Sequence, residues 1–208
     1  MINIIDYGVS NSASVLNMLR RLGIKSNLIK KPNKKIEGNK YILPGVGSFD
    51  AGIKDLIKSG WYGFLKEKFH EGNFSLLGIC LGMQLLFSKS EEGLMEGLGF
   101  IKGSVKKFNV LENSQDNLKI PIIGWKKIFF LKKDKLFEGL EKDSRFYFVH
   151  SFYCEPCNTN NIIATANHGL NFPSIVRFNN IYGVQFHPEK SHKYGMNLLN
   201  NFSRLLIV

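Results

Sequence analysis

Thirteen residues, SLLGICLGMQLLF at positions 75–87, decide how the rest of the chain is interpreted. The apolar run at residues 73–79 predicts a strand buried on both faces, and the segment LGMQLLFSKS at residues 81–90 predicts a helix. Cys80 lies where this strand would turn into the helix, with a glycine two residues away on either side. A buried strand that turns sharply into a helix is the repeating unit of parallel α/β sheets, so the stretch predicts that fold class and singles out one thiol.

The chain around this stretch alternates between strand-like and helix-like segments. In the first half, strands are predicted at residues 3–6, 25–29 and 40–45, and helices at residues 12–23, 49–60 and 61–72. The second half is richer in strand-like runs, has a polar stretch (LENSQDN, 111–117) predicted to be a loop, and closes with a predicted helix at 191–208. We therefore predict one α/β domain over residues 1–208, with an open, mostly parallel sheet, helices on both faces and an added antiparallel portion.

Charge and hydropathy narrow the possible partners. The net charge of +11 would suit a polyanion, yet 23 of the 28 basic residues are lysines dispersed along the chain, and no nucleic-acid-binding motif accompanies them. No uncharged apolar run reaches the roughly 18 residues of a membrane span, and the start MINIIDYGVSN lacks the features of an export signal. We expect a cytoplasmic protein that binds neither nucleic acid nor membrane.

The three cysteines do not indicate a disulfide framework. An odd number of cysteines in a chain of this length, without an export signal, argues against one. Cys154 and Cys157 have CxxC spacing, but no second pair of ligands completes a zinc site, and the motif follows a strand-like run instead of opening a helix. We expect no metal and no cofactor.

Cys80 is placed to act as a nucleophile. Glycines around a nucleophile at a strand-to-helix turn relieve crowding, so that the side chain is pushed out of the sheet. The free N–H groups at the start of the following helix favour a thiolate and can also hold an oxyanion. The alternative is a small buried core cysteine, and a partner base is needed to decide between them.

A base and its orienting carboxylate occur in YGVQFHPEKS, residues 182–191. A predicted strand ends at His187, Pro188 fixes the turn, and the carboxylate of Glu189 can orient the imidazole. Nucleophile, base and orienting acid are the parts that acyl transfer through a cysteine needs. In α/β-hydrolases the acid precedes the histidine, whereas here it follows, which argues against that fold.

With these motifs in place, the sequence resembles the class I (triad) glutamine amidotransferases, and within them the glutaminase subunits of imidazole glycerol phosphate synthases. The resemblance runs from residue 3 to about residue 202. It is carried by LPGVGSF (43–49), GICLGMQLLFSKSEEG (78–93), GLGFIKGSV (97–105), GW (124–125), FVHSFY (148–153) and VQFHPEKS (184–191).

The resemblance implies a role for each matching residue. Cys80, His187 and Glu189 would hydrolyse L-glutamine to glutamate and ammonia. The other implied residues are the oxyanion loop Gly45, Val46 and Gly47 with the Leu81 amide, the glutamine-binding Gln84, Glu92, Ser151 and Phe152, and the partner interface Asn11, Trp125, Tyr147 and Lys190. The implied partner is a (β/α)₈-barrel cyclase in a heterodimer, which would use the ammonia to make imidazole glycerol phosphate and aminoimidazole carboxamide ribotide in histidine biosynthesis.

Departures from the family pattern at four positions keep an alternative open. Ile122, Ile123 and Lys126 replace residues near the implied partner face, and Ser10 stands where the family has glycine. Paralogous subunits supply ammonia to a cyclase-like barrel in bacterial surface-sugar synthesis. These substitutions leave open the hypothesis that this chain is such a paralogue. A non-catalytic scaffold of the same fold is the remote alternative, because all three catalytic positions are filled.

Overall fold

The computed structural model describes residues 1–8, 10–33, 35–109 and 119–207. The predicted loop at 111–117 lies outside the described residues. Within them, the α-helices are α1 (Ser12–Arg21), α2 (Phe49–Ser59), α3 (Trp61–Glu71), α4 (Leu81–Leu85) and α5 (His192–Arg204). Short 3₁₀ helices occupy Lys135–Phe137, Thr159–Asn161 and Pro188–Lys190.

Twelve strands occur in the described part of the chain. They are β1 (Ile2–Ile5), β2 (Ser26–Ile29), β3 (Lys40–Gly45), β4 (Ser75–Cys80), β5 (Phe87–Ser90), β6 (Ile101–Lys107), β7 (Ile122–Phe130), β8 (Arg145–His150), β9 (Phe152–Pro156), β10 (Ile162–His168), β11 (Leu170–Phe178) and β12 (Ile181–Val184).

Nine strands form one sheet in the order β2-β1-β3-β4-β12-β11-β10-β7-β8. The first five run parallel to one another, and each strand from β11 onward is antiparallel to its neighbour. A smaller sheet has the order β5-β6-β9. The predicted fold class is confirmed: an α/β fold with a parallel sheet and an antiparallel extension.

Helices cover both faces of the parallel strands, as predicted. Alternate residues of β4 show this, because Leu77 and Ile79 belong to the core cluster that includes α1 and α5. Leu76, one residue along, belongs to the cluster that includes α2, α3 and α4. This alternation makes β4 a central strand, and its carboxyl end lies beside that of β3, where Gly45 pairs with Cys80. Ligand sites of open α/β sheets lie at this edge.

The helix predicted at residues 81–90 is wrong in its second half. Helix α4 ends at Leu85, and residues 87–90 form β5, which pairs in parallel with β6. The side chains from Leu81 to Phe87 are all buried, so the run shows no polar face from which a period could be read. No helix among the described residues is long and apolar enough to span a membrane.

Candidate active site

Cys80 occupies a strained elbow between β4 and α4. Its φ of 53° and ψ of −109° lie in a region that non-glycine residues rarely adopt. The glycines on either side are required by close packing: a Cβ on Gly78 would lie 2.6 Å from the carbonyl oxygen of Gly82, and one on Gly82 would collide with that of Leu43. The strand-to-helix elbow predicted from the sequence is therefore present, and it is built by backbone contact.

His187 and Glu189 form a buried pair next to this elbow. Nδ1 of His187 lies 2.7 Å from Oε1 of Glu189, and the two side chains are 2% and 1% exposed. Because a carboxylate can only accept, Nδ1 carries the proton and Nε2 is left for the thiol. Burial lowers the pKa of His187, but the interaction with Cys80 and the hydrogen bond to Glu189 outweigh it and raise the pKa to about 10.

A cavity of about 400 Å³ opens beside the sulfur of Cys80. Nine of the residues predicted for the site line it: Val46, Gly47, Cys80, Leu81, Gln84, Glu92, Ser151, Phe152 and His187. Gly45 and Glu189 lie just behind this lining, Gly45 paired with Cys80 and Glu189 bonded to His187. The structure thus brings the predicted catalytic, oxyanion and glutamine-binding residues together around one small cavity.

The oxyanion loop is held closely against the elbow. A Cβ on Gly45 would lie 2.6 Å from the Tyr7 hydroxyl and 2.8 Å from the Gly82 nitrogen, and Gly47 has a φ of 100°. Both positions therefore require glycine. Leu81 is the first residue of α4, which is only five residues long, so its N–H group has no partner within the helix.

Two polar side chains shape the far side of the cavity. The Gln84 amide nitrogen donates to the Phe152 carbonyl at 3.3 Å. Oε2 of Glu92 accepts from the Phe49 backbone N–H at 2.8 Å, at the first residue of α2. One oxygen of Glu92 therefore accepts a hydrogen bond from an N–H group at the start of α2. Its other oxygen can contact a cationic group in the cavity.

Asn11 contacts the catalytic pair, a contact that the sequence analysis missed. Its amide nitrogen lies 3.0 Å from Oε1 of Glu189. The pairing joins residues 178 apart in the chain, so only the approach of α1 to the turn after β12 reveals it. This contact places Asn11 beside the His187–Glu189 pair, and the interface role that the resemblance implies for it stays a prediction.

Two further residues of the site were missed although they lie inside the quoted motifs. Gln185 is fully buried, and its amide nitrogen lies 3.8 Å from the Cys80 sulfur. His150 lines the cavity, and its Nδ1 is 2.7 Å from the Phe152 carbonyl oxygen. Burial is the main cause that lowers the pKa of His150 to about 4, so this histidine is neutral near pH 7. A strand-like run of sequence does not reveal which polar side chain faces a nucleophile.

The other predicted interface residues form one surface patch. The Trp125 ring stacks on His192 with centroids 5.4 Å apart, and Tyr147 meets Trp125 edge-on at 6.1 Å. The Lys190 ammonium lies 5.9 Å from the centre of the Tyr147 ring. We call Trp125, Tyr147, Lys190 and His192 the Trp125 patch. The Tyr147 carbonyl accepts from the His187 backbone N–H at 2.9 Å, which places the patch directly behind His187.

No group of three or more His, Cys, Asp or Glu residues in the described ranges is arranged to hold a metal ion. Cys154 is buried and Cys157 is exposed, and both are free thiols.

The comparisons with known proteins agree on one family. The family model for class I glutamine amidotransferases matches residues 3–205. The imidazole glycerol phosphate synthase subunit HisH of Leptospira interrogans is 44% identical over 205 residues, which cover 99% of this chain and 100% of that protein. The subunit HisH 2 of Methanococcus maripaludis is 46% identical over 202 residues, 97% of this chain and 98% of that protein. A solved structure of PurLQS from Thermotoga maritima shares the fold, with a TM-score of 0.70 at 20% identity over 97% of this chain and 96% of that one.

Proposed function

This chain belongs to the class I glutamine amidotransferases, and from that membership we propose that it is the glutaminase subunit of an imidazole glycerol phosphate synthase. The whole chain, residues 1–208, acts as one domain in the cytoplasm. It hydrolyses L-glutamine and delivers the ammonia to a partner subunit for histidine biosynthesis. The observation that carries this proposal is the cavity in which Cys80, paired with His187 and Glu189, meets the predicted glutamine-binding residues.

The chemistry follows from the positions of three side chains. Nε2 of His187 takes the thiol proton of Cys80, and the sulfur attacks the side-chain carbonyl carbon of glutamine. The tetrahedral oxyanion is held by the Leu81 N–H and by an N–H of the Gly45–Gly47 loop. As the C–N bond breaks, the histidine returns the proton to the nitrogen, which leaves as ammonia. Water, deprotonated by the same histidine, then hydrolyses the thioester to glutamate and restores the thiol.

Glutamine is held at its other end by groups across the cavity. The Glu92 carboxylate lines the cavity and suits the α-ammonium, because opposite charges attract. Gln84 and the backbone at Ser151 and Phe152 provide hydrogen-bonding groups on the same wall. The reacting amide is thereby placed at the sulfur.

The ammonia needs a receiving subunit, because free ammonia is mostly protonated near neutral pH and is lost to water. The relatives are named as subunits of a synthase, and a partner is thus part of the proposal. We assign that partner as a (β/α)₈-barrel cyclase that docks on the Trp125 patch. Support comes from the exposure of Trp125 (44%) and Ile123 (65%), two apolar side chains on the same face of β7.

A second candidate partner is a cyclase-like barrel of surface-sugar synthesis. The observation that favours it is the sequence of β7, where exposed Ile123 and half-buried Lys126 lie on either side of Gly124 and Trp125 in place of the residues of the histidine branch. The chemistry at Cys80 is the same in both cases, and only the acceptor of ammonia differs.

The experiment is glutamate release from glutamine by the protein alone, with a histidine-pathway cyclase, and with that cyclase plus its nucleotide substrate. A parallel measurement adds a cyclase-like barrel of surface-sugar synthesis instead. Strong stimulation by the cyclase and nucleotide supports the histidine assignment. A rate of glutamate release that does not change when this cyclase is added favours the surface-sugar partner. Absence of release with either type of partner contradicts the proposed function.

A further inference from the structure

A continuous line of buried polar groups runs from the Cys80 sulfur to the wall of the cavity. The Gln185 amide nitrogen lies 3.8 Å from the sulfur, and the Gln185 amide oxygen lies 3.3 Å from the Gln84 amide nitrogen. That nitrogen also donates to the Phe152 carbonyl at 3.3 Å, to which His150 Nδ1 is bonded at 2.7 Å. The four side chains are at most 7% exposed, so they have little contact with bulk water.

The backbone carbonyl of Phe152 fixes the direction of this line. A carbonyl oxygen only accepts, so the Gln84 atom that faces it must be the NH₂ group. The Gln185 atom that faces the same NH₂ group must then be the oxygen, which leaves the Gln185 NH₂ group turned to the sulfur. The assignment of oxygen and nitrogen in both amides therefore follows from the network itself.

We propose that Gln185 is a positioning residue of the glutaminase, which donates an amide N–H to the Cys80 sulfur and stabilises its anionic form. This inference rests on the proposed function, because it concerns the same nucleophile. A sulfur anion is a better acceptor than a thiol, so a fixed donor favours the anion. His187 withdraws the proton from one direction, and Gln185 stabilises the resulting charge from another. No covalent step is added to the reaction.

The titratable groups that face Cys80 come from several elements. His187 follows β12, Tyr7 follows β1, and Cys154 lies on β9. Burial first, and then the charges of Asp55 and Cys80, raise the pKa of Tyr7 well above its usual range. Burial first, and then Cys80, raise the pKa of Cys154 in the same way, so both groups stay protonated near neutral pH. His187 is itself flanked by Glu189 and by neutral His150.

The test is the pH dependence of Cys80 alkylation by iodoacetamide in the full-length protein, followed peptide by peptide because Cys157 is exposed. Gln185→Met keeps the length of the side chain and removes the donor. We expect the midpoint of the profile to rise by roughly one pH unit, the effect of one hydrogen bond to an ion. The matched control is Ser174→Ala, because its buried hydroxyl has no partner among the described residues while its backbone carbonyl accepts from Gln185. Its profile should equal that of the wild type.

An unchanged midpoint in folded Gln185→Met would overturn the proposal, even if glutaminase activity were lost. A measurement on the wild type covers the case in which the variant does not fold. In NMR spectra of the wild type, the side-chain amide resonances of Gln185 should shift with pH around the alkylation midpoint. Resonances that do not shift there would also overturn the proposal. Alkylation needs no glutamine, so a failure of the proposed function, seen as absent glutamate release, is distinguishable from a failure of this inference.

Discussion

The amide nitrogen of Asn11 lies 3.0 Å from Oε1 of Glu189, the same oxygen that Nδ1 of His187 approaches at 2.7 Å. One carboxylate oxygen therefore receives two donors from opposite ends of the chain. Ser14 in turn donates to the Asn11 amide oxygen at 2.7 Å, which fixes the Asn11 side chain in this orientation. The start of α1 is thus part of the structure that orients the catalytic histidine.

Asn11→Ala should lower kcat for glutamine hydrolysis by about tenfold, because it removes one hydrogen bond to a buried carboxylate. KM for glutamine should stay near the wild-type value, since Asn11 does not line the cavity. Steady-state kinetics with saturating partner measure both constants. The control is Asn27→Ala on an exposed strand. A variant that changes only the affinity for the partner would place the role of Asn11 at the interface instead.

Gly82→Ala should prevent correct packing of the elbow, because the added Cβ would collide with the Leu43 carbonyl oxygen. We expect a loss of about 3 kcal/mol or more in the free energy of unfolding, measured by urea denaturation. Gly63→Ala is the matched control, because nothing lies within 4 Å of its added Cβ in helix α3. That variant should be more stable than the wild type by about 0.5–1 kcal/mol. Equal stability of the two variants would contradict the packing argument.

The elbow and the catalytic pair could be predicted from sequence because each is local. Gly78, Cys80 and Gly82 lie within five residues, and His187 and Glu189 are two apart. The strand at residues 87–90 could not be predicted in this way. It forms because it pairs with β6, which begins at Ile101, and the apolar residues before it had favoured a continued helix.

Long-range contacts account for the other omissions. Asn11 and Gln185 are polar residues in otherwise ordinary segments, and their roles depend on which neighbour the fold supplies. Asn11 meets Glu189 across 178 residues, and Gln185 meets Cys80 across 105. A sequence motif gives the spacing of residues that are close in the chain, and it does not show which distant residues the fold brings into contact.

Glu92→Gln should raise KM for glutamine by about tenfold with a small change in stability. The amide oxygen can still accept from the Phe49 N–H, but the negative charge for the substrate ammonium is gone. Kinetics at saturating partner, together with thermal unfolding, separate these two roles. Glu96→Gln, on the exposed loop nearby, should leave KM unchanged. A fall in stability without a change in KM would leave Glu92 only its structural role.

His150 should make the protein less stable in mild acid. Its pKa of about 4 in the folded chain lies below the ordinary value of 6.5, so the unfolded chain binds the proton more readily between these limits. The contribution of neutral His150 to the free energy of unfolding is fully present above pH 6.5 and is lost as the pH falls toward 4. Between pH 7 and pH 4.5 the wild type should lose about 2 kcal/mol more than His150→Gln in urea unfolding.

The control for the acid dependence is His70→Gln, since His70 is exposed at the end of α3. Its stability should follow the wild type at both pH values. If His150→Gln loses as much stability in acid as the wild type, the buried neutral histidine is not the group responsible.

Glutamate release by Cys80→Ala, compared with the wild type and with Cys157→Ala in the presence of the partner, tests the central claim most directly. Cys157 is exposed and away from the cavity, so its variant should match the wild type. Cys80→Ala should fold and bind the partner, yet release glutamate at least about 10⁴-fold more slowly, because no other group replaces the nucleophile. Release by Cys80→Ala at a rate comparable to the wild type would contradict the account.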